Sequence, residues 1–357
     1  MCHYIAPILE EYEIIASSPC RIDPAGGTWD LKLFSLPYYL FSPSTVTFSI
    51  DLRLYVYLRP FMKGWIRVVE GNKKEKFRFS EMDFTSQFGL IYPLIAYFGF
   101  NGLEIEIKST FPKYSGLGGS GVLTVTTISA LNEVLQSETY ESLKLNEIIH
   151  LAHEIEDGMH YSYTGLQDQC AAAYGGIHQW LWNYRDPIEN FTIKNLLEPI
   201  DFPELESRIV LAYLGEGHNS HKANIAQVNS FLQGKLRNKW MRIKDITDDF
   251  AQAISEKAWD SAIALMQEEN DIRCLIAENR ITKLGKRLET VTKNLDSGFA
   301  IAGAGNGGCV WSLCSNKIIA LKLRKMWKKI LDNVPRARIL SSKIANEGTK
   351  VLRRKKK

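Results

Sequence analysis

The chain has 357 residues, is 45% hydrophobic and carries a formal net charge of +4. That is apolar material for one large core or two ordinary ones, two being the better expectation. No run of about 18 apolar residues is present, so no membrane insertion is expected.

Taken in chain order, alternation predicts a strand at 13–16 and a longer one at 45–58, with Leu52, Leu54, Val56 and Leu58 on one face. Residues 65–69 and 76–79 read as a hairpin around Gly71-Asn72. A helix from 89 to 98 closes at Gly99, and a half-buried strand follows at 103–108. Helices are expected at 122–135 and 146–156, then a Gly175-Gly176 turn into a strand at 177–182. An apolar strand at 208–214 ends at Gly215. Polar helical stretches follow at 221–234, 238–255, 257–269 and 272–292. Residues 298–313 read as a strand–glycine–strand unit, followed by a basic helix at 317–332 and a last strand at 338–340. The first half is strand-rich and the second opens helix-rich, which places a boundary near Pro203.

The charge is uneven. Residues 317–357 hold 15 Lys and Arg against Asp332 and Glu347, a net of +13 that leaves −9 for the rest. Such a tail suits nucleic acid or an anionic membrane. No aromatic is interleaved in 353–357 for stacking on bases. The expectation is therefore a solvated helix face and a frayed terminus, with no nucleic-acid partner. The opening residues lack a basic segment followed by an apolar core, so no secretory signal is expected. Six cysteines are scattered without a C-x-x-C, and the His residues show no zinc-ligand spacing. These features fit a reduced, cytoplasmic protein without zinc.

The most informative segment is Pro112-Lys-Tyr-Ser-Gly-Leu-Gly-Gly-Ser-Gly121, between a strand and a helix. Glycines let backbone approach a ligand, and the N–H groups and dipole of a helix start favour phosphate. Gly116, Gly118 and Gly121 spell G-x-G-x-x-G, as do Gly303, Gly305 and Gly308. A dinucleotide site needs a strand soon after the helix, but a second helical stretch follows here. A purely structural turn is the other reading.

Two further segments share the sequence with this turn. Arg21-Ile-Asp-Pro-Ala-Gly-Gly-Thr-Trp-Asp30 stands near the start, and Gln167-Asp-Gln-Cys-Ala-Ala-Ala-Tyr-Gly-Gly176 lies between the two glycine loops. This set, in this order, resembles the GHMP kinase superfamily, whose members include galactokinase, homoserine kinase and mevalonate kinase. The A-G-G-T-x-D and Q-D-Q-x-A-A-x-x-G-G forms resemble its sugar-1-kinase branch, which includes heptose 7-phosphate kinases and fucose-kinase-like proteins. The resemblance runs across nearly the whole chain.

It implies an α+β fold of two domains, 1–202 and 203–357. The first would be ribosomal-protein-S5-like and the second ferredoxin-like, with ATP and the acceptor in the cleft between them. The resemblance assigns ATP phosphates to the turn: Pro112, Tyr114, Ser115, Gly116, Leu117, Gly118, Gly119, Ser120 and Gly121. Mg²⁺ would be held by Ser120 and Glu156, the latter twelve residues before Asp168 as in the family. Glu154 points to another helix face. Asp168 matches the catalytic carboxylate that takes the acceptor's proton, with Arg21 beside it. Gly26, Gly27, Thr28, Asp30, Gly303, Ala304 and Gly305 would contact the substrate.

Read without the family, Asp168 is a helix N-cap or surface charge, Arg21 and Asp30 stabilise a turn, and the 303–308 loop is a tight hairpin. Gly119 and Gly121 stand where the family has Ser and Ala; Gly121 lowers helix propensity by about 1 kcal/mol against Ala. Gly27 and Thr28 stand where true galactokinases have a Glu-His pair, which disfavours galactose. The 216–224 loop lacks the Gly-x-Ser-Arg segment of heptose kinases; His221 and Lys222 are candidates for a distal phosphate, or merely solvated.

The expected function is an ATP- and Mg²⁺-dependent kinase for the anomeric hydroxyl of a sugar or sugar phosphate, acting as monomer or homodimer. A kinase for a non-sugar alcohol such as an isoprenoid precursor, or a catalytically silent sensor, are the alternatives.

Overall fold

Period-two alternation in the first third of the chain becomes one large sheet. The computed structural model describes residues 3–136, 141–159, 164–186, 189–217, 220–234, 236–277 and 280–356; for 220–224 and 226 it describes the backbone alone. The sheet runs from Lys350–Lys355 through Tyr12–Ala25, Ser44–Pro60, Leu103–Ser109 and Trp65–Glu70 to Lys73–Arg78. Ser44–Pro60 takes an extra partner on its first half, Ile177–Trp182, which in turn pairs with Phe191–Asn195. The hairpin around Gly71-Asn72 forms as expected.

Gly119–Leu135 and Gln167–Tyr174 pack against this sheet, and Leu145–Met159 packs on both of them. Gly119–Leu135 is buried almost all round: Val122, Val125, Ile128, Leu131 and Val134 lose their surface, and so do Thr124, Thr126 and Ser129. Those three hydroxyls bond carbonyls three or four residues back, which satisfies them without leaving the helix. A helix apolar on all sides belongs in a core.

The second sheet is antiparallel, in the order Ser297–Ile301, Cys309–Cys314, Ile209–Tyr213, Arg338–Leu340. Trp327 of the basic helix Lys317–Leu331 meets Phe299 edge to face, and both are fully buried. A helix pair, Arg237–Ser255 and Trp259–Ile276, packs against strands of both sheets. Phe48 from the first sheet stacks on Phe250 of that pair and meets Trp311 of the second edge-on. The two halves are joined by one apolar seam.

Two expectations are corrected. The helices at 257–269 and 272–292 are instead Trp259–Ile276 and Lys283–Lys293. Buried Met266 and Ile272 lie on one helix and continue its packed face through residue 270, so no break forms there. The basic terminus is not frayed: Lys350–Lys355 pairs with Tyr12–Ala25 from Lys350↔Ser17 to Lys355↔Tyr12. Its cations find partners, with Arg353 over the Tyr12 ring at 4.2 Å, Arg354 on Glu13, and Lys355 3.1 Å from Glu11. The opposite edge, Lys73–Arg78, is also basic, and charged edges resist pairing with other chains.

Among the described residues, Cys20, Cys170, Cys274, Cys309 and Cys314 are free thiols, all buried but Cys274. No described helix is long and apolar enough to cross a membrane. Pro203, the expected boundary, precedes Ile209–Tyr213, the first strand of the second sheet, but the expected second domain of 203–357 does not hold to its end: Lys350–Lys355 returns to the first sheet.

Candidate active site

Pro19 cannot donate to a ladder, and the register of Tyr12–Ala25 against Ser44–Pro60 shifts between Pro19 and Cys20. Bulges of this kind re-aim side chains. Arg21 follows directly, 5% exposed, and its Nε donates to Asp168 Oδ1 at 2.8 Å. One Nη donates to the Gly116 carbonyl at 2.6 Å and to Asp23 Oδ1 at 3.4 Å. Burial alone would lower the proton affinity of Arg21, but the carboxylates of Asp168 and Asp23 outweigh it and raise it. Asp168 stands in the first turn of Gln167–Tyr174, where the helix dipole favours negative charge. It is not an N-cap: that position is Leu166, and no side chain caps the helix.

The glycine turn wraps this pair. Gly118, with φ +79°, is the N-cap of Gly119–Leu135, so the first-turn N–H groups lack intrahelical acceptors. A Cβ on Gly118 would lie 3.2 Å from Asp168 Cγ, and one on Gly121 would lie 2.7 Å from Asp168 Cβ. Gly121, a weak helix former, is where two helices touch without a side chain between them.

The third motif closes the ring. Ser297–Ile301 and Cys309–Cys314 do form a hairpin, and its loop also docks on the turn. Cys309 N–H donates to the Ser115 carbonyl at 2.7 Å, and Gly303 N–H donates to Asp23 Oδ1 at 2.9 Å. A Cβ on Gly303 would meet the Gly116 carbonyl oxygen at 2.9 Å.

Around these turns lies a cavity of about 670 Å³. Asp30 lines it, accepting from the backbone N–H of Thr28 at 3.2 Å and of Gln167 at 3.3 Å. Burial, then the Asp168 charge, push its carboxyl up to about 6. Thr28 holds φ +90°, an outlier for a β-branched residue. It is pinned by Gln227, which accepts from its hydroxyl at 3.2 Å, and by Arg273, which donates to it at 3.3 Å. Arg273 also donates to the Gly27 carbonyl at 2.5 Å and pairs with Glu269 at 2.7 Å, while Glu269 accepts from Gly26 N–H at 3.1 Å. The helix Trp259–Ile276 thus clamps the first motif.

Sequence reasoning passed over Asp23, Gln227, Glu269, Arg273 and Arg280. The signal available was a Glu–Arg pair at i,i+4, which by itself reads as a solvent-facing helix pair. Arg280 donates to the Gly303 carbonyl at 3.1 Å; burial, and repulsion by Arg273, lower its affinity for a proton to about 10.

Ser120 and Glu156 both line the cavity. Glu156 is 4% exposed and accepts from Gln169 Nε2 at 2.7 Å. No cluster of three or more His, Cys, Asp or Glu exists among the described residues that would hold a metal with protein groups alone. One hydroxyl and one carboxylate are hard oxygen donors that fit Mg²⁺, which usually keeps waters and shares nucleotide oxygens. Glu154 points outward, 64% exposed, to Lys32 at 3.1 Å.

Tyr114, Ser115, Gly116, Gly118, Gly119, Gly27, Thr28, Asp168, Gly303 and Ala304 face the cavity as well. Pro112, Leu117, Gly121, Gly26 and Gly305 do not line it: Leu117 is core, and Gly305 packs on Arg280. The side chains of His221 and Lys222 lie outside the described residues.

Residues 88–176, which hold the turn, Glu156 and Asp168, match the family model described as GHMP kinases N terminal domain. The chain carries a GHMP kinase N-terminal domain. Mevalonate kinase of Thermococcus onnurineus is 24% identical over 340 residues, 85% of this chain and 90% of that protein. A D-glycero-D-manno-heptose 1-phosphate kinase structure from Bacteroides thetaiotaomicron superposes with TM-score 0.72 at 18% identity, covering 95% of this chain and 98% of the other. Mevalonate kinase of Methanococcus jannaschii does so with TM-score 0.69 at 19% identity, covering 93% and 98%. The GHMP kinase fold therefore extends over the whole chain, in agreement with the α+β expectation.

Proposed function

We propose that this GHMP kinase homologue transfers the γ-phosphoryl group of ATP to the anomeric hydroxyl of a sugar or sugar phosphate. The reaction would take place between the lobe of the larger sheet, residues 1–202 with the returning strand Lys350–Lys355, and the lobe of the smaller sheet. The observation that carries the reading is the convergence on one cavity of the Arg21–Asp168 pair, the opening turn of Gly119–Leu135 and the 303–308 loop.

Phosphoryl transfer asks for positioning and charge neutralisation more than covalent help. The turn from Tyr114 to Ser120 would cradle the phosphates on backbone N–H groups. Ser120 and Glu156 would hold Mg²⁺, which supplies charge neutralisation on the phosphate oxygens. Asp168 would accept the proton of the attacking hydroxyl, and Arg21 holds that carboxylate in position through its Nε. Thr28, Asp30 and Gln227 offer the array of polar groups that a polyhydroxylated acceptor needs. Such a reaction draws on the ATP pool of the cytoplasm, the location proposed here.

A second reading is a hydroxy acid as acceptor, favoured by the alignment of curated mevalonate kinases over 85% of the chain. The deciding experiment supplies Mg-ATP with sugars, sugar phosphates and mevalonate and measures ADP release. ADP formed with one sugar, with phosphate found on C1, supports the first reading; ADP formed only with mevalonate replaces it. ATP binding without turnover on any acceptor points to a silent sensor.

A further inference from the structure

We propose that Arg280 is a specificity residue that binds an anionic group, phosphate or carboxylate, on the acceptor. This rests on the kinase reading above and narrows its substrate class from neutral to charged acceptors.

The cations lining the cavity differ in their partners. Arg21 is matched by Asp168 and Asp23, Arg273 by Glu269, and Lys113 by Glu70. Arg280 is 9% exposed and has no carboxylate within ion-pair distance among the described residues. One of its five N–H donors reaches the Gly303 carbonyl, and its buried Nε has no partner. A buried charge without a counter-charge is costly, and proteins keep one where a ligand completes it. The guanidinium fork matches the two oxygens of a phosphate or carboxylate.

Arg280 reaches the nucleotide turn through Gly303. Gly303 receives the Gly116 backbone from one side and Arg280 from the other, through its carbonyl. The charges acting on Arg280 include that of Arg273, which clamps Gly27 and Thr28, and those of Asp23 and Glu269, which act from beyond ion-pair distance and leave the guanidinium without a direct carboxylate partner. Arg280 thus sits against the 303–308 loop beside the Asp23–Gly303 contact and lines the same cavity as Gly27, Thr28 and Asp30, where an acceptor's far end would lie.

The test uses the full chain with Mg²⁺ and a non-hydrolysable ATP analogue bound, so that nucleotide phosphates are already in place. Glycerol 3-phosphate, D-glycerate and glycerol are titrated calorimetrically into the wild type and into Arg280→Gln and Arg280→Lys. The expected result is binding of at least one anionic probe about ten-fold or more tighter than glycerol. Arg280→Gln should weaken that probe roughly ten- to hundred-fold, and Arg280→Lys less. Preference for glycerol 3-phosphate identifies a phosphorylated acceptor, and preference for D-glycerate a carboxylate. Equal binding of all three probes, or none, in the wild type overturns the proposal; so does unchanged affinity in an Arg280→Gln protein that melts like the wild type. If Arg280→Gln does not fold, Arg280→Lys decides, since it keeps the charge but not the fork; unchanged affinity there also overturns the proposal. Once a turnover assay exists, Arg280→Gln should raise the acceptor KM and spare that of ATP; the reverse overturns the proposal. Because binding is read without chemistry, failure of every acceptor to release ADP would sink the kinase reading alone.

Discussion

Arg21 Nε lies 2.8 Å from Asp168 Oδ1, a contact between residues 147 apart in sequence. The pair fixes where the carboxylate points and gives it a permanent counter-charge. Asp168→Asn keeps the shape and loses the ability to take a proton. Turnover should fall by about 10²–10⁴-fold, with the KM for ATP nearly unchanged. An Asn variant as fast as the wild type would remove Asp168 from the chemistry.

Asp30 makes stability depend on pH in a stated direction. Its folded carboxyl is raised to about 6 from an ordinary 3.8, so the fold favours the protonated form. That contribution is complete below the unfolded value and is lost as pH rises through about 6, amounting to about 3 kcal/mol. Asp30→Asn is neutral throughout. Its stability in urea should therefore decline less than the wild type's between pH 4 and 7. Parallel curves for the two proteins would show that Asp30 is not held in its neutral form.

Gly121 and Gly119 share a helix turn but not a fate. Alanine is the better helix former by about 1 kcal/mol at either position. At Gly121 the new Cβ would stand 2.7 Å from Asp168 Cβ, whereas at Gly119 it meets only the Phe111 ring at 3.6 Å. Gly119→Ala should melt at or above the wild-type temperature. Gly121→Ala should lose about 1–3 kcal/mol and much of its turnover, because Asp168 must shift. A Gly121→Ala protein that gains stability would contradict the packing described.

Removing residues 350–357 strips a partner from Tyr12–Ala25 and bares the backbone edge that continues into Arg21. The truncated protein should melt several degrees lower and associate at high concentration, as unprotected edges do. Light scattering and thermal melts check both. A monomeric truncation with an unchanged melt would mean that the last strand adds nothing.

What could be read in advance was local. Glycine turns, alternating strands and the Gln167-Asp-Gln run announce themselves within a few residues, because each is dictated by backbone geometry or by a short pattern. The alternation over Ser44–Pro60 was readable even though the strand has partners on both sides along its length. Glu269, Arg273 and Arg280 were opaque, since their burial is decided by where Arg237–Ser255 and Trp259–Ile276 dock, a long-range matter. The terminal strand was hidden for a related reason. Val351-Leu352 is too short an apolar signal among cations, and its stability comes from an edge more than 330 residues upstream and from Glu11, Glu13 and Tyr12 beside it. Gly121 looked like a cost to a helix until its neighbour across the interface was known.

The return of Lys350–Lys355 to the opening strand has a consequence for biosynthesis. Multidomain chains commonly fold from the N-terminus as they emerge from the ribosome. Here the larger sheet lacks one edge until residue 355 has been made, by which time every strand of the smaller sheet already exists. Completion of the lobe that begins first must wait for the whole second lobe to be synthesised. For the same reason, dissecting the protein into independently expressed halves at residue 203 would leave the first without its closing strand and the second with an unpaired basic ribbon.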